Sequence, residues 1–216
     1  MGETRSRRVL LATNNPGKVR EYREILAGMP IELVTPQEIG LALEVPETGA
    51  TYEENARRKA CAFAAASGLV ALADDSGLEV DALGGAPGVH SHRYDGGHGS
   101  DAERYRLLLK RLEGVPWEQR TARFRCVIAV ATPAGEVYTC EGECPGVILT
   151  AARGAGGFGY DPVFYLPQAG RTMAELAPEE KNRVSHRGRA GRKAREILLR
   201  LLEQTGGEPP VTPCAE

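Results

Sequence analysis

Two adjacent acids, Asp74 and Asp75, follow the apolar run Val70-Ala-Leu-Ala73 and precede Ser76-Gly77. Neighbouring like charges repel, and at the end of a buried strand they require a counter-charge, a divalent metal or several lysines. Two other segments carry the complementary chemistry. Thr13-Asn-Asn-Pro-Gly-Lys18 sets backbone N–H groups and an ammonium at a helix start, an anion site reinforced by the helix dipole. It is not a Walker loop, because Gly-x4-Gly-Lys-Ser/Thr is absent. Lys181-Asn-Arg-Val-Ser-His-Arg187 offers donors for a carbonyl oxygen or a phosphate. Together these segments point to metal-assisted chemistry on a phosphorylated small molecule. Each also has a plainer account: an Asx turn for the acids, a capped helix with a solvated Lys18, and a basic helix surface for residues 181–187.

Three further features bear on the same chemistry. Lys59 lies three residues after Ala56 and four before Phe63, so it points near an apolar helix face and needs a partner unless it snorkels to the rim. Glu47 precedes that helix in a Pro-containing loop, where it is either a ligand or a surface carboxylate. Gly156-Gly-Phe-Gly-Tyr-Asp-Pro162 allows close backbone approach and holds an aromatic that either stacks on a base or fills a hairpin core. His90, His92 and His98 lack a fixed metal spacing and are assigned to loop hydrogen bonding.

The elements that must position these residues are legible from pattern. Val9–Thr13 reads as a strand, with Asn15 capping a helix that begins at Pro16 and carries Val19, Tyr22, Ile25 and Leu26 inward. Ile31–Val34 is a second strand. Thr51 and Glu54 form a capping-box pattern for a helix reaching Ser67, with Gly68 past its end. The strand Val70–Ala73 is expected to end at the acid pair, with a Ser-Gly turn and a half-exposed strand Leu78–Ala82 beyond it. Ser100 and Glu103 cap another helix, Thr121–Ala131 and Glu136–Glu143 form a hairpin, and a last helix spans Arg187–Gln204. Strands interleaved with helices predict an α/β fold with helices on both sheet faces.

The chain has 216 residues, 42% hydrophobic and 26% charged, with a formal net charge of −2. That is ordinary for a globular enzyme and provides no global field for DNA or a membrane. No apolar run approaches the ~20 residues of a membrane span, and the basic start is not followed by a signal-type apolar stretch. Cysteines at 61, 126, 140, 144 and 214 make a poor disulfide framework. The expected location is cytoplasmic, with no nucleic-acid or membrane partner.

Taken in order, the segments Leu11–Lys18, Glu47-Thr-Gly49 with Glu54-Asn55 and Lys59-Ala60, Ala73–Leu78, Gly84–Gly88, Ser91–Tyr94, Gly156–Pro162 and Ser185–Arg187 resemble the inosine triphosphate pyrophosphatase family. The resemblance implies a three-layer α/β/α fold around a long mixed sheet, with two lobes flanking a cleft. The matching segments run from about residue 9 to 202, and the expected organisation is a basic extension (1–8), one two-lobed domain (9–204) and a flexible Pro-rich tail (205–216), the two ends falling outside the resemblance. It implies a homodimer and magnesium-dependent hydrolysis of non-standard purine triphosphates (ITP, dITP, XTP) to the monophosphate and pyrophosphate. The family's phosphate-binding motif falls on Thr13, Asn15 and Lys18, with Asn14 where the family often has Gly. Further phosphate contacts fall on Lys59, Ser76 and Lys181. Glu47 and Asp75 fall on the metal ligands, Asp75 also on the general base, and Asp74 on a supporting position. Phe158 falls on the purine-stacking residue, with Gly159, Tyr160 and Asp161 completing that wall and His186 and Arg187 reading the base. On that basis Arg187→Ala is expected to lose base preference more than stability. The competing accounts are a nucleotide- or RNA-binding protein without hydrolysis, and a phosphatase for another phosphorylated metabolite.

Overall fold

The computed structural model describes residues 7–97 and 99–204. The segment before Arg7, His98 and the Pro-rich tail from residue 205 lie outside the described residues. In chain order the elements are β1 (Arg7–Leu11), α1 (Pro16–Ile25), β2 (Ile31–Val34), α2 (Tyr52–Ser67), β3 (Val70–Val80), α3 (Asp101–Arg111), β4 (Thr121–Ala131), β5 (Val137–Ile148), β6 (Phe164–Leu166), β7 (Arg171–Thr172), α4 (Pro178–Val184) and α5 (His186–Gln204). The strands form one sheet in the order β2-β1-β3-β4-β5-β6-β7. β1 runs parallel to β2 and β3, and the remaining pairs are antiparallel, so the sheet is mixed.

Strand alternation builds the layers. Val9, Leu11, Leu72, Ile128 and Val130 face one side and pack with Tyr22 of α1, Leu26 at its C-terminal cap, and Ala190, Ala194 and Leu198 of α5. Leu10, Ala71, Ala73, Val127 and Ala129 face the other and pack against Ala56, Ala60, Phe63 and Ala64 of α2. This is the three-layer α/β/α arrangement. The far ends of β3, β4 and β5 carry a third core, where Leu78, Val80, Phe124 and Phe164 meet Leu108 and Leu112 around α3. That core forms the second lobe.

Local chemistry sets most helix ends where expected. Asn15 accepts from the Lys18 N–H as the cap of α1. Ser100 and Glu103 form a reciprocal box on α3. On α2, Thr51 accepts from the Glu54 N–H, but Glu54 turns to the Ala50 N–H, one residue earlier than a full box requires. α5 begins one residue before the expected start, with the Ser185 hydroxyl accepting from the Gly188 N–H. Residues 7 and 8 belong to β1, and Arg7 donates to the Leu202 carbonyl of α5.

The turn expected at Ser76-Gly77 is absent. β3 continues through the acids because β4 pairs with it without interruption, from Ala71 opposite Ala131 to Val80 opposite Ala122. A complete ladder outweighs the local turn preference of Ser-Gly. Gly77 serves a different need: a Cβ there would run into the Gly88 carbonyl, the Ser91 hydroxyl and the Tyr52 hydroxyl. The 3₁₀ turn Gly88–Arg93 crosses the strand at that point. Gly77→Ala is therefore expected to cost about 1–3 kcal/mol by overpacking, read as a lower melting temperature, and an unchanged melt would contradict the crossing.

Among the described residues no helix is long and apolar enough to cross a membrane. Cys126 and Cys144 are buried, Cys140 half-buried and Cys61 exposed, all as free thiols.

Candidate active site

A cleft of about 1020 Å³ opens between the two lobes. Its walls come from the β1–α1 loop, the Leu43–Glu47 segment, the middle of β3, the Ser91–Arg93 turn, the start of α3, the Phe158–Asp161 loop and the α4–α5 junction. Every expected site residue lines it except Asp74, which lies directly behind the wall with 1% exposure.

The two acids coexist because successive strand residues face opposite sides of the sheet. Asp74 points to the α1–α5 side. Its Oδ1 accepts from the Lys18 ammonium at 2.9 Å, and its Oδ2 accepts from Arg187 Nη2 at 3.2 Å and Nε at 3.3 Å. Burial alone would raise its pKa, but Lys18, Arg187 and Lys59 outweigh that and hold the carboxyl well below its ordinary range. Asp75 points to the α2 side, where its Oδ2 accepts from Asn55 Nδ2 at 2.9 Å. Burial pushes the Asp75 carboxyl up, with Glu47 adding to the effect and Lys59 and Asn55 opposing it. One acid is thus held as a structural anion, while burial disfavours the charge of its neighbour.

Lys59 does not snorkel outward. Its ammonium donates to Glu47 Oε1 at 2.7 Å and to the Asp74 carbonyl at 2.5 Å. Burial disfavours its charge, but Asp74 and Glu47 more than compensate and the group stays protonated. Glu47 is pushed up by burial and pulled down further by Lys59 and Lys18, so it is held ionised. Glu47 and Asp75 offer two hard oxygen donors to the cleft. Among the described residues no group of three or more His, Cys, Asp or Glu gathers to hold a metal. Two carboxylates suit a small hard cation that completes its shell with water and substrate phosphates, rather than a protein cage.

Thr13 Oγ1 accepts from the Asn15 N–H at 3.2 Å and shapes the loop before α1. Asn14 lines the cleft between these positions and does not disturb the cap. The Lys18 side chain, unfavourable at a helix start on its own, is compensated by Asp74.

The opposite wall is aromatic. The Phe158 ring lies 4.8 Å from the Lys181 ammonium and 5.4 Å from the Arg187 guanidinium carbon, measured to the ring centroid. Its N–H donates to Asp161 Oδ2 at 2.8 Å. The Gly159 N–H donates to Asp101 Oδ2 at 2.6 Å, and the Tyr160 hydroxyl donates to the Ser91 carbonyl at 2.8 Å. Lys181 is not with the other lysines. It is buried against Asp161 (2.5 Å) and Glu21 (2.7 Å) beside Phe158, whereas Lys18 and Lys59 converge on Asp74. Gly17 faces the Phe158 ring, and a Cβ there would come within 2.6 Å of it. Gly17→Ala favours the helix but displaces the ring, so we expect an unchanged or higher melting temperature with KM raised roughly tenfold, the scale of one lost aromatic stacking contact. An unchanged KM would remove Phe158 from substrate contact.

His186 is buried and stacks on Phe124, with centroids 4.6 Å apart and planes at 13°. Burial, with Arg187 and Lys181 adding to it, drives its pKa well down, so the ring is neutral. Its Nδ1 is buried with no hydrogen-bond partner among the described residues. Arg187 is 2% exposed and donates to Glu21, Asp74 and the Ser76 hydroxyl. The stretch whose plainer account was a basic helix surface therefore turns Lys181, His186 and Arg187 inward. His90 accepts from Arg93 within its loop, as expected.

Three contributors were not singled out from sequence. Glu21 joins Lys181 to Arg187, and nothing in the local pattern of α1 separates it from a surface acid. Asn55 had only its place in a motif, and Asp101 resembled an ordinary first-turn acid.

The sequence model of the Ham1 family matches residues 9–197. The dITP/XTP pyrophosphatase of Desulforamulus reducens is 54% identical over 194 residues, covering 90% of this chain and 96% of that one. The dITP/XTP pyrophosphatase of Geobacter sulfurreducens is 55% identical over 183 residues, covering 85% and 92%. Among solved structures, a HAM1 protein from Coxiella burnetii superposes with a TM-score of 0.81 at 42% identity, covering 90% of this chain and 99% of that one.

Proposed function

The chain belongs to the Ham1 family, and from that premise and the cleft we infer that it hydrolyses non-standard purine nucleoside triphosphates, ITP, dITP and XTP, to the monophosphate and pyrophosphate. The carrying observation is that one cleft gathers two kinds of group: Lys18 and Lys59 converge on Asp74, and Phe158, His186 and Lys181 form an aromatic, cation-bearing wall.

The residues have assignable tasks. Thr13, Asn15, Lys18 and Lys59 hold the polyphosphate, with Asn14 and Ser76 at its edge. Asp75 takes the proton of the attacking water, whose oxygen bonds to the α-phosphorus as the bond to the bridging oxygen breaks and pyrophosphate departs. Glu47 and Asp75 would hold a divalent cation, which we assign as Mg²⁺, and it would screen charge on the phosphates. Asp74 orients Lys18 and Arg187. The purine stacks on Phe158, with Gly159, Tyr160 and Asp161 holding that wall in shape and Lys181 joining it rather than the phosphates.

Selectivity follows from donors. A 6-oxopurine offers an acceptor to His186 and the Arg187 edge, whereas adenine presents an amino donor. A buried donor left unpaired costs on the order of 10⁴ in discrimination where a site is built around that bond.

We assign the active form as a homodimer in the cytoplasm. The deciding assay measures pyrophosphate against orthophosphate from ITP, XTP, dITP, GTP and ATP with Mg²⁺. Pyrophosphate from the 6-oxo, non-guanine substrates is expected. Orthophosphate alone would indicate a phosphatase, and binding without product a nucleotide-binding protein.

A further inference from the structure

Six Lys or Arg side chains line the cleft: Lys18, Lys59, Arg93, Arg104, Lys181 and Arg187. Five are paired to carboxylates: Lys18 to Asp74, Lys59 to Glu47, Arg104 to Asp95 and Asp101, Lys181 to Glu21 and Asp161, and Arg187 to Glu21 and Asp74. Among the described residues Arg93 has no acidic partner. Its Nη2 donates to the Glu47 carbonyl at 3.0 Å and its Nε to His90 Nδ1 at 3.2 Å. A guanidinium has five N–H donors in a planar fork suited to phosphate, so most of this one remains uncommitted.

The placement of Arg93 is fixed. It ends the 3₁₀ turn Gly88–Arg93, which is pinned to β3 where Ser91 Oγ accepts from the Leu78 N–H at 2.8 Å and where Gly77 admits the Gly88 carbonyl. Contacts run from Phe158 to Arg187, on to Asp74, then Lys59, Glu47 and Arg93. Arg93 thus adjoins Glu47 on the acid-pair side of the cleft, two residues after Ser91, whose carbonyl accepts from the Tyr160 hydroxyl.

Resting on the function proposed above, we propose that Arg93 binds the terminal phosphate of the substrate and so sets the preference for a nucleoside triphosphate over a diphosphate. An unpaired cation gains more from an incoming anion than one that must first leave a carboxylate.

The test compares the parent, Arg93→Gln and Arg93→Lys in the full chain. It reads KM and kcat for ITP and inhibition constants for inosine diphosphate and monophosphate. For Arg93→Gln we expect KM for ITP to rise about tenfold or more, the scale of one charge-assisted hydrogen bond, with both inhibition constants unmoved. Arg93→Lys keeps the charge and loses the fork, so its KM falls between the other two. The bond to the Glu47 carbonyl admits a purely structural role for Arg93. That role would lower kcat or shift the diphosphate constant as far as the ITP KM, and either result overturns the proposal, as does an unchanged KM. Should Arg93→Gln fail to fold, the same constants on Arg93→Lys decide in the same way. A parent inert on ITP overturns the function and this assignment together, whereas an active parent with an indifferent Arg93 overturns this assignment alone.

Discussion

Asp75→Asn is expected to melt close to the parent and to release pyrophosphate from ITP at least about a thousandfold more slowly, since general-base transfer alone is worth roughly 10²–10⁴. The two halves of this expectation have one cause. Burial pushes the Asp75 carboxyl up, which means the fold disfavours its charge. A neutral amide therefore costs the folded state little, and it retains an oxygen for the Asn55 amide or the Ser76 N–H. What it cannot do is take a proton from water or contribute a full negative charge opposite Glu47. Single-turnover pyrophosphate release with a thermal melt on the same sample checks both. Turnover within a few-fold of the parent would take Asp75 out of the chemistry.

Asp74 supplies the control. It is chemically identical, one residue away, and held ionised by Lys18 and Arg187. Asp74→Asn leaves two cations facing a neutral group, so its first effect is a lower melting temperature. The difference comes from strand geometry: one acid faces α1 and α5, the other α2. A pair that melts alike would contradict this division of labour.

Much of this was legible in local pattern, because caps and short motifs are local. Asn15, Thr51 and Ser100 announce their helices through contacts within a few residues. The residues facing the cleft were likewise visible as ordered segments. Features that depend on a distant partner were not. Ser76-Gly77 has turn chemistry, and only the β4 ladder reveals that the strand continues. Lys181 looks like one more phosphate lysine until Glu21 and Asp161 are seen on either side of it. Glu21 itself reads as a surface helix acid, since its partners come from α4 and α5, some 160 residues later. Arg93 is distinguished by the pairing of every other cleft cation, which no stretch of sequence contains.

Arg187→Ala is expected to be mainly a stability variant, reversing the emphasis expected from its base-reading assignment. The guanidinium is 2% exposed and joins three elements: Glu21 of α1, Asp74 and Ser76 of β3, and its own α5. Removing one member of a buried ion pair typically costs about 3–5 kcal/mol, because the remaining charge stays desolvated. Here each carboxylate keeps a lysine, Glu21 at 2.7 Å from Lys181 and Asp74 at 2.9 Å from Lys18, so the lower end applies. At roughly 2–4 °C per kcal/mol for a chain of this size, the melting temperature should fall on the order of 10 °C. Preference for ITP over ATP should fall as well, since the Phe158 ring loses one of its two cationic neighbours and the Ser76 hydroxyl loses its donor. Arg187→Lys separates the two roles: it restores one charge-assisted contact and part of the stability, but not the fork that spans Glu21 and Asp74 at once. A melting temperature within a degree of the parent for Arg187→Ala would mean that Lys18 and Lys181 satisfy both acids unaided, and Arg187 would then belong to the substrate rather than to the fold.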